Sequence, residues 1–268
     1  MEMNILFLGY GKMGSTLGEA WLAQGIASQI TAVDPQADNN EFQATVVKQA
    51  VPVTESTFDL IVVAVKPALV GQVLSCLPAQ TGADTCIVSL AAGVTTQRLQ
   101  TALAIPAPVV RAMPNTAVQV LAGCTGLYTS QPLSEKQHDM ITTLFDSVGR
   151  AYWLEKEREL DAVTAISGSG PAYYHLFSEA LADSALALGL PPGIATDLAK
   201  YTALGAAKLQ CLPDSDLAAL RRNVTSPNGT THAAIETFEQ AGVLRQLVAA
   251  ATSAAYRRSI ELGQPDRQ

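Results

Sequence analysis

The hexapeptide Gly9-Tyr10-Gly11-Lys12-Met13-Gly14 follows an apolar run, 4–9, and opens a stretch of helical periodicity. Three glycines in this order suit a phosphate. The first permits a tight turn, the second lets backbone approach a pyrophosphate, and the third lets helix and strand pack closely, while the helix start holds negative charge. Asp34 stands twenty residues past Gly14, at the end of a second apolar run. A carboxylate there bonds both hydroxyls of an unmodified ribose and repels a 2′-phosphate, and no arginine lies nearby to receive one. Asp34 read alone leans toward NADH. The plain alternative is that Asp34-Pro35 only ends a strand with a turn, so NADPH and NADH both stay open.

Other segments carry polar groups at similar places. Ala64-Val65-Lys66-Pro67 ends a third apolar run, and Ser89-Leu90-Ala91-Ala92-Gly93 ends a fourth. Small residues at these ends leave room for a nicotinamide and its ribose. Lys66 either meets a phosphate or substrate carboxylate or is simply an exposed strand-end lysine. Asn115, in Arg111-Ala112-Met113-Pro114-Asn115, has an amide suited to a carboxamide or a substrate. Further on, Ser167-Gly168-Ser169-Gly170-Pro171 breaks a helical pattern, which marks a kink or a close backbone approach. In Val224-Thr225-Ser226-Pro227-Asn228-Gly229-Thr230-Thr231 a hydroxyl-rich turn leads into a helix, so the amides of Gly229, Thr230 and Thr231 make an anion site. The alternative is an ordinary N-terminus capped by Ser226 or Asn228.

Apolar runs at 4–9, 29–34, 59–65, 85–90 and 109–113 read as strands of a parallel sheet covered on both faces. Helical stretches at 13–24, 67–76 and 95–104 separate them, the signature of βαβ units and a doubly wound sheet. A strand at 125–129, a helix at 134–147 and a strand at 151–154 complete this part. Beyond it come only helices, at 157–188, 192–210, 214–223, 229–240 and 243–263, with Gly242 and Gly263 as helix-ending glycines. The expected architecture is α/β: an N-terminal Rossmann-type dinucleotide domain over 1–156, then an all-α substrate-binding and dimerisation domain over 157–268. From Leu176 to Leu190 apolar residues cover more than one stripe, so the helix must be covered, either by neighbours in its own short domain or by a second copy. A symmetric dimer is the favoured cover.

Composition narrows the function. The chain of 268 residues is 48% hydrophobic and 15% charged, which excludes disorder. No apolar run reaches the roughly 18 residues of a membrane span. The net charge is −7 and basic residues cluster no further than Arg221-Arg222 and Arg257-Arg258, which speaks against nucleic acid. Cys76, Cys86, Cys124 and Cys211 form no CxxC and read as reduced core thiols, and His138, His175 and His232 show no ligand spacing, so no metal is expected. The start, Met1-Glu2-Met3-Asn4, lacks the features of a secretory signal, and a cytoplasmic protein beginning at Met1 is expected.

Together the motifs resemble the pyrroline-5-carboxylate reductases, which make proline from its cyclic imine. The resemblance rests on Gly9 to Gly14, the AVKP of Ala64 to Pro67, the AAG of Ala91 to Gly93, the RxMPN of Arg111 to Asn115, the SGSGPAY of Ser167 to Tyr173 and the VTSPxGTT of Val224 to Thr231. It implies a two-domain reductase using NADPH or NADH, a homodimer or a ring of dimers. It also implies cofactor contacts at Gly9, Gly11, Lys12, Met13, Gly14, Asp34, Ala64, Val65, Lys66, Pro67, Leu90, Ala91 and Ala92. Ser226, Gly229, Thr230 and Thr231, with Asn115, are the implied substrate residues, Thr231 facing the imine nitrogen as the catalytic one. Two departures stand out. Asn228 replaces the family's usual glycine, tolerable because asparagine enters the left-handed region more easily than most residues. The asparagine that the family often places near the adenosine ribose is missing around 51–54.

Two rivals remain. A β-hydroxyacid dehydrogenase shares the architecture but commonly uses a lysine on the first interdomain helix, and no lysine occurs between Lys156 and Lys200. A non-catalytic NAD(P)-binding regulator would not need Thr230, Thr231 and their turn.

Overall fold

A computed structural model describes residues 3–36, 42–48, 58–77, 85–104 and 106–264; the 51–54 stretch lies outside them. The chain forms two compact units, Met1–Ser169 with Ala255–Gln268, and Gly170–Ala254.

In the first unit the strands are β1 (Asn4–Leu8), β2 (Gln29–Val33), β3 (Thr45–Val47), β4 (Leu60–Val63), β5 (Cys86–Ser89), β6 (Val109–Met113), β7 (Gly123–Tyr128) and β8 (Gly149–Trp153). They form one sheet in the order β3-β2-β1-β4-β5-β6-β7-β8. Neighbours run parallel except β6 and β7, which are antiparallel. The first six follow the classic dinucleotide-binding order. Strand β3 has no counterpart among the expected strands, because three residues are too short to show a pattern.

The sheet is covered on both faces, which is why its strands read as unbroken apolar runs: all four residues of β4 and of β5 are buried. Along β1 the side chains alternate, with Ile5 and Phe7 packing into one core and Leu6 and Leu8 into the other. Helices α1 (Lys12–Ala23) and α4 (Glu135–Asp146) supply Leu17, Trp21, Ile141, Leu144 and Phe145 to the first core. Trp21 Nε1 donates to the Leu144 carbonyl at 2.8 Å, fixing one helix to the other. Helices α2 (Val70–Ser75) and α3 (Thr96–Ala102) supply Val70, Leu74 and Leu99 to the second. Helix α4 begins with a complete capping box between Ser134 and Gln137.

The helix expected over 157–188 is interrupted where the sequence breaks. After α5 (Glu159–Val163) comes a turn of π-helix, Thr164–Gly168, in which the Ser169 amide reaches back to the Thr164 carbonyl at 2.8 Å; α6 (Gly170–Ala187) then starts the second unit. Pro171, lacking an N–H, sits where a helix start needs none. The compact units part at Ser169. Leu160 is buried in the first unit, its side chain and that of Val163 packing over Gly126 of β7.

The second unit holds α6, α7 (Pro192–Gln210), α8 (Leu217–Asn223), α9 (Thr230–Glu239) and the first part of α10 (Val243–Gly263). The end of α10 belongs to the first unit, where the Ser259 hydroxyl donates to Asp161 at 2.6 Å. Gly263 is not a cap beyond that helix. It is the last helical residue, and a Cβ on Gly93 would lie 2.8 Å from the Gly263 Cα, so both glycines serve close backbone packing. Among the described residues no helix is long and apolar enough to cross a membrane.

The four cysteines are not all core thiols. Cys86 is, and burial pushes its thiol up to about 12. Cys124 is half-buried, while Cys76 and Cys211 are exposed because each ends a helix.

Candidate functional site

The ends of β1, β2 and β4 enclose a cleft of about 440 Å³, lined among others by Gly9, Gly11, Asp34, Ala64, Val65 and Lys66. This is the crevice outside the carboxyl ends of the strands, beside β1 and β4, where the strand order reverses. Gly9 turns the chain with φ +89°, a conformation that excludes an L side chain, and its amide donates to the Val33 carbonyl at 2.9 Å. A Cβ on Gly14 would lie 2.9 Å from the Gly9 carbonyl oxygen, so the third glycine lets α1 start against the loop. Gly11 is different: a Cβ there would meet no atom within 4 Å. Its bare backbone faces the open cleft, and α1 starts there with no side-chain cap, as a pyrophosphate requires. The donor set and the space fit a dinucleotide.

Asp34 is tied into this loop. Its Oδ2 accepts the Tyr10 amide at 2.7 Å and its Oδ1 accepts the Gln36 amide at 2.9 Å. The carboxylate therefore joins the end of β2 to the middle of the glycine loop. Tyr10 itself is buried beneath α1, its ring edge-on to Phe7 and to Phe42 and its hydroxyl donating to Glu19 at 2.9 Å. Burial, then the Glu19 hydrogen bond and charge, push its phenol up from the ordinary value. Gly18 is glycine because a Cβ there would overlap that hydroxyl. Glu19 also accepts the amides of Gln43 and Ala44, pinning the approach to β3.

The remaining cofactor candidates divide by role. Met13 and Leu90 are half-buried against the first core, and Ala91 is buried in the second. Lys12 and Ala92 are exposed outside the cleft, and Pro67 begins the 3₁₀ turn that follows Lys66. Sequence reasoning missed Leu69, Gln72 and Val73, which line the cleft from one side of the helix after Pro67. Their spacing of three and four residues is the signal that could have found them.

Asn115, 8% exposed, is occupied by the protein. Its Oδ1 accepts the Ala117 and Cys124 amides at 3.3 and 3.2 Å, and its Nδ2 donates to the Ser167 carbonyl at 3.0 Å. It caps the 3₁₀ turn Thr116–Val120 and anchors the π-helical turn. Nearby, Glu157 Oε1 accepts the Thr96 amide at 2.7 Å and Arg111 Nη1 at 3.0 Å, joining the start of α3 to the end of β6.

In the second unit the turn before α9 has the geometry of an anion cradle. Asn228 adopts φ +58°, the left-handed conformation expected of it. Gly229 is the N-cap residue and no side chain caps the helix, so neither Ser226 nor Asn228 takes the capping role. A Cβ on Gly229 would lie 2.5 Å from Ser226 Oγ, and the turn closes with the Gly229 amide donating to the Ser226 carbonyl at 3.0 Å. The amides of Thr230 and Thr231 thus sit in a first helical turn with no intrahelical acceptor. Thr225 stabilises the turn from behind, donating to the Arg221 carbonyl at 2.7 Å.

Comparison with known proteins agrees with this anatomy. Residues 157–262 match the family description "Pyrroline-5-carboxylate reductase dimerisation", and residues 4–93 match "NADP oxidoreductase coenzyme F420-dependent". The pyrroline-5-carboxylate reductase of Pseudomonas aeruginosa is 41% identical over 97% of this chain and 97% of its own length, and that of Haemophilus influenzae 35% over 96% and 97%. Among solved structures, the Coxiella burnetii pyrroline-5-carboxylate reductase matches with TM-score 0.89 and 33% identity over 99% of this chain and 100% of that one. The Plasmodium falciparum pyrroline carboxylate reductase with NADP bound matches with TM-score 0.82 and 25% identity, covering 98% of each. On sequence along its whole length, the chain belongs to the pyrroline-5-carboxylate reductase family.

Proposed function

We propose that the chain reduces the cyclic imine 1-pyrroline-5-carboxylate to L-proline with hydride from NADPH or NADH, the last step of proline biosynthesis. The observation that carries this reading is the uncapped start of α9, where free amides lie beside two threonines. Such a tip suits a small carboxylate held by the Thr230 and Thr231 amides, since the Gly229 amide is already engaged by the Ser226 carbonyl, with Gly229 and Ser226 shaping the turn. Thr231 hydrogen-bonds the ring nitrogen or relays its proton. Asn115 holds the Ser167 carbonyl and keeps one Nδ2 hydrogen for a ligand.

Gly9, Gly11 and Gly14 take the pyrophosphate, Asp34 the adenosine ribose, and the backbone of Lys12, Met13, Ala64 to Pro67 and Leu90 to Ala92 the rest of the dinucleotide. A reduced nicotinamide supplies the hydride. In the protonated imine the carbon accepts it while the C=N electron pair moves to nitrogen, giving the ring amine with no further proton. The protein's task is therefore placement and exclusion of water, and no histidine or cysteine nucleophile is needed.

The assembly is a homodimer, alone or within a ring of dimers, formed through residues 157–268. It acts in the cytoplasm on a small molecule, without nucleic acid or membrane. Mixing the purified protein with the cyclic imine and each reduced nucleotide should give oxidation of the nucleotide and proline. No oxidation with either would overturn the reading. Thr231→Ala should lower kcat by roughly a hundredfold with nucleotide affinity intact; unchanged kinetics would remove Thr231 from the mechanism.

A further inference from the structure

We infer that the last turn of α10 is a back wall that sets where the 91–93 turn stands, with Gly263 as a positioning residue for hydride transfer, an inference resting on the reading of Leu90 to Ala92 as cofactor contacts. The sheet order gives that turn its place. Asp34 follows β2 and the glycine loop follows β1, while β4 and then β5 lie on the other side of β1. A dinucleotide with its adenosine ribose at Asp34 and its pyrophosphate at the glycine loop therefore runs toward the ends of β4 and β5 with its nicotinamide. The segment after β5 is held to the sheet, the Leu90 amide donating to the Val63 carbonyl at 2.9 Å and the Ala91 amide to the buried Ser89 hydroxyl at 3.3 Å.

At Gly93 the turn rests on the backbone of α10. Gly93 takes φ +74°, and a Cβ on it would lie 2.8 Å from both the Gly263 Cα and the Leu262 carbonyl oxygen. Gly263 is glycine for a different reason. It is the last helical residue of α10 and is not among the glycines with positive φ, so its backbone accepts a side chain and alanine would favour the helix. What alanine brings is a Cβ 3.3 Å from the Gly93 carbonyl oxygen and 3.4 Å from its Cα. The helix cannot simply back away, because one turn earlier the buried Ser259 hydroxyl donates to Asp161 of α5 at 2.6 Å. The 91–93 turn must then give by a few tenths of an ångström. Hydride transfer needs near-attack geometry, in which a misplacement of about 1 Å costs roughly a hundredfold in rate.

The test is Gly263→Ala and Gly263→Val in the full-length protein. With the cyclic imine, kcat should fall about threefold for alanine and roughly thirtyfold for valine, while the Kd of reduced nucleotide measured without substrate changes by about twofold at most, since adenosine and pyrophosphate are held elsewhere. The thermal midpoint of Gly263→Ala should stay or rise, because alanine favours the helix, so lost turnover cannot be put down to unfolding. The fluorescence emission of the bound reduced nicotinamide should shift in Gly263→Val, a readout that needs no reaction. Unchanged kcat and emission in both variants overturn the inference. So does a fall in kcat matched by weaker nucleotide binding and a lower midpoint, the pattern of a merely structural contact. If the unaltered protein does not reduce the imine, the proposed function falls while the emission still decides the role of Gly263; if it binds no nucleotide, both fall.

Discussion

The two units solve the same physical problem in opposite ways. In the sheet unit the large apolar side chains are sealed within one chain: Ile5, Phe7, Leu17, Trp21, Leu60 and Phe145 have no exposed surface. In the helical unit the buried residues are Gly170, Ala195 and Ala199 alone, while Tyr174, Leu176, Leu188, Leu198 and Tyr201 are exposed. Burial of apolar area drives folding, so a unit that leaves so much uncovered depends on surface supplied from elsewhere. The match of 157–262 to a dimerisation domain points to a second copy as the supplier. Stability in the sheet unit should then belong to the single chain, and in the helical unit to the assembly.

The largest effect should come from charging the uncovered helices. Leu198→Asp on α7 places an unpaired carboxylate where the second copy would pack, and burying such a group costs far more than a hydrophobic contact returns. The protein should leave a sizing column with light scattering at monomer mass, and its thermal midpoint should lose dependence on protein concentration. An unchanged dimer would mean that Leu198 faces water in the assembly. In the sheet unit, Phe7→Ala should cost about 3–5 kcal/mol, measured by denaturant titration. That cost should be the same at every protein concentration, because the Phe7 cavity is closed by its own chain. A concentration-dependent cost would blur the contrast between the units.

How much of this the sequence made legible follows the same division. All of the sheet but the three-residue β3 was readable because a parallel sheet buried on both faces leaves continuous apolar runs, and the glycine loop because Gly9 and Gly14 answer steric demands and Gly11 leaves backbone bare. Asn228 was readable too, since few side chains tolerate its backbone. What sequence could not show was commitment. Asp34 and Asn115 were both visible as polar groups near a ligand, yet only three dimensions reveal that the first holds the Tyr10 amide and the second the Ser167 carbonyl. Partners 24 and 52 residues apart leave no local pattern. The cleft-lining side of the helix after Pro67 was hidden for another reason: Leu69, Gln72 and Val73 mix apolar and polar types, so no stripe appears. In the helical unit the lack of a polar stripe was legible and pointed to a partner, but the missing cap on α9 was not, because Ser226 and Asn228 are themselves good capping residues.

The smallest expected effect concerns charge within the helical unit. Glu239 at the end of α9 accepts Arg221 Nη1 at 2.7 Å and Arg245 Nε and Nη2 at 2.8 and 2.6 Å. The hydrogen bonds from Arg245 first, then the charges of Arg245 and Arg221, hold its carboxyl below the ordinary 4.5, and the same contact raises Arg245. A depressed carboxyl is deprotonated in the folded chain where the unfolded chain still binds a proton, so the pairs contribute their full stability above pH 4.5 and lose it as pH falls through the lower folded value. Glu239→Gln should therefore lower stability slightly and evenly above that pH and converge with the unaltered protein in acid, so that the acid limb flattens. In the free chain Arg245 is exposed and Glu239 and Arg221 are only half-buried, so the effect should be small and shrink with added salt. A loss that resists salt would mean that a second copy covers Glu239 and shields its pairs from solvent. The same measurement on monomeric Leu198→Asp separates the two cases, since only cover by a partner disappears with the dimer.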